Sequence, residues 1–509
     1  MNSKPCNIVF YFSDQQRWDT LGCYGQKLPV TPVLDNLAQV GTKFEHAFTC
    51  QPVCGPARAC LQSGMYATQT GCYRNDIDQP LHIKPLASYF ADAGYQTAYV
   101  GKWHLASNAQ KGLQYATSAV PPQRRGGYRD YWMAADVLEF TSHGYNGYVF
   151  DGQGTKHEFI GYRADCINNY AIDFLHQRDA ERPFFLFISQ IEPHHQNDRN
   201  RFEGPDGSKR RFAEYEVPGD LKGMQGDWRE NYPDYLGQCA SLDQNVGRLV
   251  DTLQDMGEWE NTIFVYTSDH GSHFCTRNSE YKRSCHDSCT HIPLIICGPG
   301  FEGGHTREEM VSLLDLPVTL LDCAGIAKPD CFAGNSLRRL VRGEAKAWPD
   351  SVFMQISESQ IGRAVRTQTW KYAVRAEANG WEESSADVYY EDFLYDLVND
   401  PYERNNLVAD VNYAEVRQQM AALLIPESPP PKSIHRIAGQ SIPNQKKNSC
   451  AQQKQTIMPR GSAQVACCSV SIALQYHKCL TGSIKIRRGF RQSLRREPRL
   501  CFWCWRGKA

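Results

Sequence analysis

The segment Cys50 to Gly64 concentrates the most reactive chemistry in the chain. Cys54 lies two residues before Pro56, a proline that can open a helix. Its thiol would therefore sit beside free backbone N–H groups and the positive end of a helix dipole. Arg58, one turn further on, returns to the same place and can hold an oxyanion or orient the nucleophile. Two other readings remain open for the segment: a small core cysteine, or a zinc or redox set of Cys50, Cys54 and Cys60. The zinc reading needs further ligands at close spacing, and the sequence offers none.

Other candidates fall where strands should end. Asp14 follows the apolar run Ile8 to Phe12, and Asp269-His270-Gly271 follows the run Thr262 to Thr267. In a parallel sheet both would project at the carboxyl ends of strands, where α/β proteins place their ligands. Two carboxylates and an imidazole can hold a divalent cation, whereas either aspartate alone reads equally well as a turn or helix cap. Gly101-Lys102-Trp103-His104 and Pro193-His194-His195 also leave strands, and Lys282 lies in a polar loop before the strand at Ile292. Lysine and histidine at such positions suit gripping a tetrahedral oxyanion and protonating a leaving oxygen.

The elements that must carry these residues alternate. A helix beginning at Thr31-Pro32 follows the first strand. Helix-strand pairs then follow at Pro85–Ala93 with Thr97–Val100, at Ala164–Leu175 with Phe184–Ile188, and at Tyr235–Leu253 with Thr262–Thr267. The strand Ile292–Ile296 precedes a helix over Leu313–Cys323. This pattern predicts an α/β fold with a large mixed, mostly parallel sheet covered by helices, over residues 5–348. Short segments at Ser351–Ile356, Gly362–Thr367, Trp370–Arg375 and Phe393–Asp396, with a final helical stretch through Met420 to Leu424, predict a small C-terminal antiparallel α+β subdomain over residues 349–425.

Composition bounds the rest. The chain has 509 residues, 41% apolar and 22% charged, with no apolar run long enough to span a membrane. Its net charge of −1 averages two unlike parts. Residues 426–509 carry 16 Lys/Arg against only Glu427 and Glu497, while the first 425 carry 39 basic and 54 acidic residues. The basic tail mixes Pro, Cys and Trp without periodicity, which fits a shifted frame or other sequence artefact better than a nucleic-acid-binding arm, so no nucleic-acid partner is expected. Met1 to Cys6 is a short polar lead rather than a secretion signal. The expected location is the cytoplasm with reduced thiols, or the periplasm or exterior if the true start lies upstream.

In order along the chain, Cys54-Gly55-Pro56-Ala57-Arg58 with Leu61-Gln62-Ser63-Gly64, then Gly101-Lys102-Trp103-His104, Pro193-His194, Ser268-Asp269-His270-Gly271 and Lys282 resemble the formylglycine-dependent sulfatases of the alkaline-phosphatase superfamily. The likeness continues through Tyr395-Asp396-Leu397 and Asn399-Asp400-Pro401, covering about residues 5–425. It implies that a maturation enzyme oxidises Cys54 to formylglycine, whose hydrate attacks sulfur while Arg58 and Lys102 steady it. It implies one divalent metal, calcium in most members, held by Asp14, Gln15, residue 54, Asp269 and His270. His104, His194 and Lys282 would bind the sulfate of a sulfated small molecule or glycan, and His194 or Lys282 would protonate the departing alcohol. His286-Asp287-Ser288-Cys289 departs from the family's usual stretch and is expected near the substrate. Asp14-Gln15-Gln16-Arg17 is also similar to choline sulfatases and phosphonate monoester hydrolases, which keeps phosphonate monoester or phosphodiester hydrolysis as an alternative. A third is an inactive metal-binding chain with a disrupted C-terminus.

Overall fold

A computed structural model describes residues 5–427 and 436–438. The larger sheet has eleven strands: β1 (Asn7–Ser13), β2 (Thr42–Phe48), β3 (Gln96–Lys102), β4 (Tyr131–Ala135), β5 (Ser142–His143), β6 (Asn146–Phe150), β7 (Lys156–Ile160), β8 (Phe184–Ser189), β9 (Thr262–Ser268), β10 (Leu294–Cys297) and β11 (His305–Ser312). Their order is β11-β2-β10-β9-β1-β8-β3-β4-β6-β5, with β7 on β6. The central run from β9 to β4 is parallel, and antiparallel pairings lie on both sides of it.

β1 is central because it is apolar on both faces. Ile8, Phe10 and Phe12 point into one core with the helices Cys54–Ser63, Leu86–Asp92 and Asp315–Cys323. Val9 and Tyr11 point into another, against Pro32–Val40, Arg163–Gln177 and Trp228–Asp255. That alternation follows from the strand's two-residue period, and each fully buried large apolar side chain contributes roughly 1.5–3 kcal/mol. Among the described residues all 14 cysteines are free, and no helix is long and apolar enough to cross a membrane.

The second sheet holds β12 (Ser351–Ile356), β13 (Ile361–Thr367), β14 (Trp370–Ala376) and β15 (Val388–Asp396) as an antiparallel meander. β16 (Arg436–Ala438) adds in parallel to β15. The helix Ala414–Glu427 packs on this sheet through Met420 and Leu424. Otherwise the expected basic tail lies outside the described residues.

Candidate active site

Asp14, His194 and the 269–270 pair lie just beyond the carboxyl ends of the parallel strands β1, β8 and β9, and Lys102 closes β3. Gly101 makes the last placement possible. Its φ is +102°, and a Cβ there would lie 2.0 Å from the Ser189 carbonyl oxygen. Beyond it, Asp136 accepts the N–H groups of Leu105, Ala106 and Ser107 at 2.9–3.0 Å and fixes the loop that presents His104. The helix Cys54–Ser63 begins at the nucleophile itself and is buried along its whole length.

The side chains converge. Lys282 Nζ donates to Cys54 Sγ at 2.8 Å, and Sγ lies 3.3 Å from Asp14 Oδ1 and 3.2 Å from His270 Nε2. Arg58 donates to Asp14 Oδ2 at 2.9 Å and to Ser189 Oγ at 2.6 Å, and Lys102 Nζ reaches Asp14 Oδ2 at 2.6 Å. Lys282 Nζ also lies 3.0 Å from His194 Nε2. His194 Nδ1 faces the His195 carbonyl oxygen at 2.6 Å, so the proton is assigned to Nδ1 and Nε2 accepts from Lys282. His270 Nδ1 faces the Gly271 carbonyl oxygen at 2.9 Å, which likewise turns the Nε2 lone pair toward Cys54 and the carboxylates.

Electrostatics separate the groups. Burial pushes the Cys54 thiol up, but Lys102, Lys282, His270 and a hydrogen bond from His104 outweigh it and hold the pKa well below the ordinary thiol value. Burial and Cys54 push the Asp14 carboxyl up, yet Lys102, His194 and Arg58 prevail and hold it below the carboxylate range. Asp269 goes the other way: burial, then the Asp14 charge, raise it to about 6. Burial and the Lys282 charge lower His194, favouring its neutral form.

The donor set fits a cation. One ligand atom each from Asp14, Cys54, Asp269 and His270 lie within 4.8 Å of one another, all buried. Among the described residues Asp269 Oδ2 is buried without a hydrogen bond and has only the Arg58 Nη2 ion pair at 3.4 Å, which leaves it room to accept a cation. Gln15 supports this group through its backbone: its N–H donates to Asp269 Oδ1 at 3.0 Å, while its side-chain Nε2 donates to Ser272 Oγ at 3.3 Å.

Thus the structure brings Asp14, Cys54, Arg58, Lys102, His104, His194, Asp269, His270 and Lys282 together. Sequence reasoning missed Ser189 and Asp136, which carry no motif and act only through the Arg58 and His104 segments they hold. The 286–289 loop, expected near the substrate, lies against the site on one side, where the Cys289 carbonyl oxygen accepts the Gly271 N–H at 2.8 Å, one residue beyond His270. Asp287 is buried in ion pairs with Lys371 and Arg366, and His286 Nε2 meets Tyr395 Oη at 3.0 Å, so this loop joins the two sheets.

Residues 6–326 match the sulfatase family model, and residues 279–428 match that of the N-sulphoglucosamine sulphohydrolase C-terminal region. The chain belongs to the sulfatase family of sulfuric ester hydrolases, whose members generally use formylglycine and a metal. It is 30% identical to the uncharacterized sulfatase YidJ of Escherichia coli, over 83% of this chain and 87% of that protein. It is 26% identical to an N-acetylglucosamine-6-O-sulfatase of Bacteroides thetaiotaomicron, covering 83% and 86%. The solved putative sulfatase yidJ of Bacteroides fragilis superimposes with a TM-score of 0.70 at 25% identity, covering 84% and 96%.

Proposed function

We propose that the protein hydrolyses a sulfate monoester on a carbohydrate, with residue 54 acting as formylglycine after oxidation of Cys54. The observation that carries this reading is the Cys54 side chain, buried at a helix N-terminus and in contact with Lys282, Asp14 and His270. The carbohydrate assignment is supported by the sugar-sulfatase relative, 26% identical over 83% of this chain.

In this reading a hydrated aldehyde at position 54 supplies two hydroxyls, one to attack sulfur and one to expel sulfate afterwards. A divalent cation, calcium by family resemblance, would be held by Asp14, residue 54, Asp269 and His270, with Gln15 steadying Asp269, and would supply charge against the sulfate oxygens. Lys102 and Arg58 keep Asp14 ionised and oriented. His104 and Lys282 present positive or donating edges to the sulfate. Lys282 and the neutral His194, 3.0 Å apart, form the pair from which the departing alkoxide takes its proton.

The test is release of inorganic sulfate from a sulfated monosaccharide by the matured protein, measured beside an aryl phosphodiester. Faster sulfate release supports the assignment. Turnover of the phosphodiester alone contradicts it and favours the phosphonate or phosphodiester alternative.

A further inference from the structure

Lys282 is followed by an arginine with no part in the chemistry above. The Arg283 N–H donates to the Pro52 carbonyl oxygen at 3.2 Å, two residues before the nucleophile, and its own carbonyl accepts Ser359 Oγ–H at 2.8 Å. Its Nε pairs with Glu358, a buried carboxylate between β12 and β13. The other Glu358 oxygen accepts the Asn75 N–H at 2.7 Å, and Asn75 Oδ1 accepts the Gly55 N–H at 3.0 Å. The second sheet is thereby tied to both sides of position 54. Arg283 and Glu358 each have positive φ, 66° and 65°, a strained conformation for non-glycine residues.

The outer edge of the guanidinium differs from its inner edge. Nη1 pairs with Glu280, whose side chain is 42% exposed, and Nη2 makes no hydrogen bond among the described residues. The Trp381 ring lies 6.0 Å away. Bracing the fold is already achieved by Glu358 and Pro52. The Arg283 side chain is 13% exposed against 42% for Glu280, so the guanidinium opens outward only on the Glu280 side, where Nη2 can meet an anion and the adjacent aromatic ring offers a face for a sugar.

Resting on the sulfatase reading above, we propose that Arg283 and Trp381 form a subsite for a second anionic group on the sugar, a further sulfate or a carboxylate, with Glu280 as its internal competitor. The test uses the matured full-length enzyme and compares KM for a monosulfated neutral sugar, a disulfated amino sugar and a sulfated sugar bearing a carboxylate. Arg283→Gln should raise KM for one or both doubly charged sugars about tenfold relative to the neutral one, as expected for losing a charge-assisted contact. Glu280→Gln should shift that ratio the opposite way, and whichever charged sugar responds identifies the anion. Equal changes for all three esters, or an unchanged ratio, would overturn the subsite and leave Arg283 as a brace. If none of the esters is hydrolysed, the sulfatase reading itself fails. Calorimetric binding of the same three sugars then decides the subsite, by whether Arg283→Gln abolishes a preference for the doubly charged ones.

Discussion

Two buried charge clusters hold this molecule together, and they are built to opposite ends. At the joint between the sheets, Asp287 pairs with Lys371 and Arg366, Glu403 Oε1 accepts from Lys371 at 2.5 Å, and Glu403 Oε2 accepts the Asp287 N–H at 2.7 Å. All four carboxylate oxygens are answered. In the active site, Asp269 Oδ2 has no hydrogen bond and only Arg58 at 3.4 Å among the described residues, and its carboxyl is raised to about 6, while the Cys54 thiol is held low among cations. A closed network fixes a structure, and an open one with excess donors and a carboxylate oxygen left without a hydrogen bond suits binding a ligand.

The comparison breaks first at Cys54. Cys54→Ala should lower sulfate release by a factor on the order of 10⁴ or more while circular dichroism and the melting temperature stay close to wild type, because the residue serves the reaction rather than the fold. If activity survives, the open cluster is not the reactive one.

Lys371→Met should do the reverse. Removing one partner leaves Asp287 and Glu403 buried without their shared cation, an expected loss of about 3–5 kcal/mol in urea unfolding. The pH dependence has a definite sign. Burial pushes Asp287 up, but Lys371, Arg366 and His291 hold its pKa below the ordinary value near 3.8. Its stabilising contribution is therefore complete above about pH 4 and declines as the pH falls toward the folded-state value. The stability gap between wild type and Asp287→Asn should narrow below that pH, and a gap that widens in acid would contradict the pairing.

The smallest expected effect concerns the cation. Calcium added to chelator-treated protein should raise its stability by about 1–4 kcal/mol at saturating concentration, through preferential binding to the folded state. Asp269→Asn should abolish that increment, whereas Asp287→Asn should keep it.

Much of this site was legible in the sequence because its residues sit at strand exits, where a short apolar run gives way to Asp14, Lys102 or Asp269. The central strands were legible for the same reason: β1, β8 and β9 are buried throughout. β11, reading His305 to Ser312, and β7, reading Lys156 to Ile160, escaped notice because flanking strands expose polar side chains and lose the apolar signal. The ties of the 286–289 loop to the C-terminal subdomain were not legible, because nearness in sequence to Lys282 says nothing about Lys371 and Glu403, which reach Asp287 from there. Glu358 was invisible for a similar reason, since its partners Asn75 and Arg283 are 283 and 75 residues away.

The most direct measurement is the mass of the tryptic peptide Phe44–Arg58 from protein made in its own host, the segment between Lys43 and Arg58 that contains Cys54. The proposed function requires a form about 18 Da lighter than the unmodified peptide, the change from thiol to aldehyde, with sulfate release scaling with its abundance. An unmodified thiol throughout, in protein that still releases sulfate, would contradict the formylglycine mechanism.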